Sequence, residues 1–144
     1  MYKHILIATD GSELATKGLD HGLRLAKLAD ASVTIVTVTD VWASSALASA
    51  GPATLAEYEN AMNAAVDDIL AEAARFAEQS GVQYKTMHIP NRYAADAIVE
   101  TAQEKGADLI VMASHGRRGF RKLILGSQTT EVLQLSTVPV LVVR

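Results

Sequence analysis

The sequence predicts a three-layer α/β domain: an open, mainly parallel, Rossmann-like sheet with helices on both faces. Two observations carry this. Short runs of β-branched and aliphatic residues alternate with segments of helical period along the whole chain. Those runs are continuously apolar rather than alternating, as in strands covered on both faces, and parallel neighbours need a helical crossover between them. At 144 residues the chain is expected to form a single domain, residues 1–144, around one sheet.

The elements follow in order. His4 to Thr9 reads as the first strand, broken by Asp10-Gly11-Ser12. Ser12 suits the N-cap of a helix, Glu13 favours its dipole, and Leu19, Leu23, Ala26 and Ala29 recur at helical spacing up to Asp30. Ser32 to Thr39, SVTIVTVT, is the second strand. Asp40 to Gly51, with Trp42, has no period and reads as a long, mobile loop. Pro52 then opens the longest helix, whose apolar face runs through Leu55, Tyr58, Met62, Val66, Ile69, Ala73 and Phe76 to a stop near Gly81. Val82 to Ile89 is the third strand and Ala94 to Lys105 a helix closed by Gly106. Ala107 to Ala113 is the fourth strand, Ser127 to about Leu135 a short helix, and Val138 to Val143 the last strand.

Composition narrows the function. The chain carries 13 basic and 16 acidic residues, a net charge of −3, which speaks against nonspecific recruitment of nucleic acid or anionic membrane. It contains no cysteine, so disulfides, thiol catalysis and Cys-ligated metals are excluded. The first apolar run breaks at Asp10-Gly11, too short for a signal peptide, and no stretch approaches roughly 18 apolar residues, so a soluble cytoplasmic protein is expected. His4, His21, His88 and His115 lack metal-ligand spacing. The P-loop, dinucleotide and nucleophile-elbow patterns are all missing.

In an open parallel sheet, ligands bind outside the carboxyl ends of the strands where the strand order reverses. The candidates are therefore Thr9-Asp10-Gly11-Ser12, Thr39 to Val41, and Ser114 to Ser127. In the third, Gly116, Gly119 and Gly126 let backbone approach a ligand, and Gly126-Ser127 opens a helix whose N–H groups attract phosphate. Arg117, Arg118, Arg121 and Lys122 add charge, and His115 is the histidine of this loop. The ordinary reading is also open: turn glycines, an N-cap at Ser127 and a solvated basic face. Asp10 either shapes the turn before Ser12 or faces the base or ribose of a nucleotide, because a bare carboxylate repels polyphosphate unless a divalent cation intervenes.

Three stretches, ILIATDGSE, ADLIVMASHGRRGFRKLILGS and VPVLVVR, resemble the universal stress protein family over the whole chain. The resemblance implies a five-stranded parallel sheet of order 3-2-1-4-5, a homodimer formed through Val138 to Val143, and binding of ATP, or of AMP or ADP, with Mg²⁺ or Mn²⁺. Many members carry glycine, two residues, glycine, nine residues, then glycine and serine or threonine. Gly116 and Gly126-Ser127 fit, while Ala113 stands at the first glycine. An extended backbone there would tolerate alanine, and a positive φ would cost roughly 1 kcal/mol. Carried over, Asp10 contacts the adenosine, Val38, Thr39 and Val41 line the adenine pocket, and Gly116, Gly119, Gly126 and Ser127 hold phosphates. Thr9 and Ser12 are neighbours, and the Gln128 amide faces the phosphates.

The expected function is an ATP-binding stress-response sensor or regulatory module read by a client protein, without a dedicated catalytic apparatus. The alternatives are a slow ATPase or phosphotransferase, and an interaction dimer that binds no nucleotide.

Overall fold

Strand-forming runs and helical segments alternate as the sequence predicts. The computed structural model describes residues 1–40, 51–116 and 125–144. The elements are β1 (His4–Ala8), α1 (Glu13–Ala29), β2 (Ser32–Val38), α2 (Pro52–Ser80), β3 (Tyr84–Ile89), α3 (Ala94–Glu104), β4 (Leu109–Ala113), α4 (Ser127–Leu135) and β5 (Val140–Val143). The five strands form one parallel sheet in the order β3-β2-β1-β4-β5. The chain thus winds outward from β1 to β3, returns to the middle, and winds the other way through β4 and β5. That reversal lies between β1 and β4.

Side chains alternate across the sheet and divide the core in two. Ile5, Ile7, Val33, Ile35 and Val111 pack with Leu19, Leu23, Ala73 and Ala77 beneath α1 and α2. Leu6, Val36, Ile110 and Met112 pack with Ile98, Ala102 and Val132 beneath α3 and α4. The central strands are largely apolar, with Thr34 and Thr37 buried in β2, because both faces are covered. Helix α1 rests on the sheet through Gly22, where a β-carbon would stand 2.6 Å from Ile7 Cδ1 and 3.3 Å from Val111 Cγ1.

Helix ends follow local chemistry. Ser12 caps α1 by accepting from the Ala15 N–H at 3.2 Å, and Asp30 ends that helix in the left-handed region with φ 54°. Gly81 supplies the same conformation after α2, at φ 73°.

Strands are shorter than their apolar runs. Strand β5 begins at Val140 instead of Val138 because Pro139 has no N–H to donate, although its carbonyl accepts from Ile110 at 3.0 Å. Strand β4 begins at Leu109, since Ala107 donates back to the Ala102 carbonyl and closes α3. Among the described residues, no helix is long and apolar enough to cross a membrane. The expected loop from Val41, including Trp42, and the basic stretch holding Arg117, Arg118, Gly119, Arg121 and Lys122 lie outside the described residues.

Candidate functional site

The reversal of strand order brings the end of β1 beside the end of β4, because Ile5, Leu6 and Ile7 pair with Leu109, Ile110 and Val111. Two loops predicted from sequence therefore meet. The Asp10 carboxylate accepts from the Ser12 N–H through Oδ1 at 2.9 Å, forming the turn into α1. Its Oδ2 faces Gly116, where a β-carbon would stand only 2.7 Å away. Asp10 therefore shapes the turn and also borders the second loop. Thr9 is buried behind it, its carbonyl accepting from Thr37 Oγ1 at 2.8 Å and its N–H donating to Val36 at 2.9 Å.

On the other side, Ser114 and Gly126 clasp the base of the β4–α4 connection. The Gly126 N–H donates to the Ser114 carbonyl at 2.8 Å. A β-carbon on Gly126 would stand 3.2 Å from that carbonyl and 3.4 Å from His115 Cα, so any side chain here presses on the backbone of the clasp. Its φ of −59° is accessible to any residue. Gly126, and not Ser127, occupies the N-cap of α4; Ser127 is the first helical residue. As a glycine, this N-cap supplies no side-chain acceptor to the helix. Its first turn lies at the carboxyl end of the sheet, following β4, where the helix dipole is positive.

Thr129 completes the clasp. Fully buried, its hydroxyl lies 2.9 Å from the Ala113 carbonyl and 3.2 Å from that of Ser114, donating into this pair and fastening the first turn of α4 to the end of β4. Ala113 itself is the last residue of β4, paired with Val143. Its backbone is extended, which is the condition under which alanine replaces the motif glycine without strain.

The remaining predicted residues divide. His115 lies beside this clasp with Nδ1 3.0 Å from Ser114 Oγ. Val38 ends β2, and Thr39 continues its line by donating to the Ile89 carbonyl at 3.0 Å, with Oγ1 3.0 Å from His88 Nε2. Thr39 also lines a shallow cleft of about 230 Å³ at the β2–β3 end, with Asp40, Tyr58 and Asn91. Gln128 follows Ser127, and its side chain turns away to α3, where Oε1 accepts from the Ala95 N–H at 3.0 Å. Val41, Arg117, Arg118 and Gly119 lie outside the described residues. Sequence reading missed Thr129 and the side-chain role of Gln128, because both act through contacts that form only in the folded chain.

Among the described residues, no group of three His, Asp or Glu side chains could hold a metal ion. The arrangement suits an anion at α4: the positive end of a helix dipole, a glycine N-cap without a side chain, and the Asp10 carboxylate bordering Gly116 to one side.

Comparison with known proteins gives the same outline. The chain matches the Universal stress protein family over residues 1–144. It is 35% identical over 149 residues to the universal stress protein YxiE of Bacillus subtilis (strain 168), covering 100% of both. Among solved structures it is similar to MJ0577 of Methanocaldococcus jannaschii, with a TM-score of 0.86 and 29% identity over 99% of this chain and 96% of that one. It is also similar to a universal stress protein solved in complex with cAMP, with a TM-score of 0.75 and 26% identity over 99% and 97% of the two chains.

Proposed function

The chain belongs to the universal stress protein family, and on that premise we propose that it binds an adenine nucleotide and serves as a stress-response sensor or regulatory module. The ligand is ATP, or its ADP or AMP form. The observation that carries this reading is the N-terminus of α4, begun by a glycine N-cap that offers no side-chain acceptor and set at the point where the strand order reverses. The complex of a 26% identical relative with cAMP supports the adenine and ribose part of the assignment.

In this reading the N–H groups of Ser127 and Gln128 take the phosphates, with Gly116, Gly119 and Gly126 keeping space for them. Arg117, Arg118 and His115 add positive charge or donors nearby. Asp10 receives the ribose hydroxyls, Thr9 and Ser12 hold its loop, and Val38, Thr39 and Val41 border the base. Ala113 sets the floor. When bound, Mg²⁺ or Mn²⁺ neutralises adjacent phosphate oxygens. The module is cytoplasmic and pairs with a second copy along β5, an edge strand with half-buried valines and a leucine; a client protein reads the occupied state.

Calorimetric titration of ATP and AMP with Mg²⁺ tests the reading on wild type and Gly126→Val. Saturable binding by wild type, weakened about tenfold or more in the variant, is expected from crowding against Ser114. No binding by wild type, or equal binding by a folded variant, contradicts it. Phosphate release followed over hours separates the sensor from a slow ATPase: repeated turnover favours the enzyme.

A further inference from the structure

Helix α3 begins without a cap of its own. Tyr93 occupies the N-cap position and contributes no side-chain acceptor. Its place is taken across the helix–helix contact by Gln128, whose Oε1 accepts from the Ala95 N–H. The amide group must present oxygen here, because the backbone group facing it is a donor. A long polar side chain in an exposed first turn ordinarily remains free in water, and fixing it costs rotamer entropy that this bond offsets.

We propose that Gln128 is a positioning residue that couples occupancy of the α4 site to the first turn of α3. The inference rests on the nucleotide reading above. One residue contributes its backbone N–H to the open end of α4 and its side chain to the closed end of α3, so the two helix starts share a single tether. The tether continues beyond α3. Arg92, just before that helix, donates its N–H to the Thr39 carbonyl at 3.1 Å and pairs its guanidinium with Glu100. Thr39 stands at the end of β2, where the base is expected. The phosphate end and the base end of the site are therefore joined through α3 as well as through the ligand. A ligand that steadies the first turn of α4 steadies Ala95, and by reciprocity a loosened Ala95 weakens the ligand.

Amide hydrogen exchange at Ala95, measured by NMR with and without AMP, tests this together with AMP calorimetry. In wild type, AMP slows exchange at Ala95 about threefold or more. In Gln128→Leu, Ala95 exchanges faster without ligand, AMP no longer slows it, and AMP affinity falls about fivefold. Gln128→Glu keeps an acceptor and restores slow exchange without ligand. The coupling is overturned if wild type binds AMP with no response at Ala95, or if Gln128→Leu matches wild type in affinity and response. Absence of AMP binding by wild type overturns the nucleotide reading itself, and the coupling with it.

Discussion

Gly116 approaches the carboxylate of Asp10 so closely that a β-carbon at this glycine would lie 2.7 Å from Oδ2. The carboxylate cannot simply swing aside, because Oδ1 holds the Ser12 N–H. Gly116→Ala is therefore expected to rotate Asp10 out of its turn. The loss of that bond costs about 1 kcal/mol of stability, and the displaced carboxylate lowers nucleotide affinity about tenfold. Thermal denaturation and calorimetry check both; unchanged affinity contradicts the assigned place of Asp10.

Thr129 offers a test of the clasp. Its buried hydroxyl fastens α4 to the carbonyls of Ala113 and Ser114. Thr129→Val keeps the shape and removes the donor, so the end of β4 loses its side-chain tie to α4 while the Ser114 carbonyl keeps the Gly126 N–H. A loss of about 1–3 kcal/mol is expected in chemical denaturation, together with weaker nucleotide binding. Thr129→Ser restores both. A variant that loses stability with full affinity would detach the clasp from the site.

Gly22 tests the fold apart from the site. A methyl group there meets Ile7 Cδ1 at 2.6 Å inside the core. Gly22→Ala is expected to destabilise the protein by about 1–3 kcal/mol through overpacking, despite alanine's better helix propensity. Denaturant midpoints measure this, and a stabilised variant would show that α1 shifts freely over the sheet.

Stability should decline in mild acid through His4. Its ring lies between β1 and β2, with Nδ1 2.7 Å from Ser32 Oγ and Nε2 2.9 Å from Thr34 Oγ1. Burial lowers its pKa from the ordinary 6.5, while Asp108 opposes the shift and Lys85 adds to it. The unfolded chain then takes up the proton first, so the contribution of neutral His4 is complete above 6.5 and is lost as pH falls through the folded value. Denaturation midpoints between about pH 5 and 7 should rise with pH, and less steeply in His4→Gln. Equal slopes would contradict the shift.

Much of this architecture is legible in the sequence, because apolar runs and helix caps are local signals. Ser12, Asp30 and Gly81 mark helix ends by their own chemistry. Strand ends are less legible: Val138 is as apolar as Val140, yet Pro139 interrupts the donors between them. In the site, Asp10, Gly116 and Gly126 stand out because each interrupts a regular run. Thr129 and the side chain of Gln128 do not: Thr129 meets Ala113 only once α4 folds back on the end of β4, and Gln128 meets Ala95 only once α3 and α4 lie side by side.

The amides of Ser127, Gln128 and Thr129 report most directly on the assigned anion site. In an NMR titration with ATP and Mg²⁺, their resonances should show the largest saturable shifts, accompanied by those of Thr9 to Ser12. Shifts confined to the cleft beside Thr39 and Tyr58, or none anywhere at millimolar ATP, would contradict nucleotide binding at the start of α4.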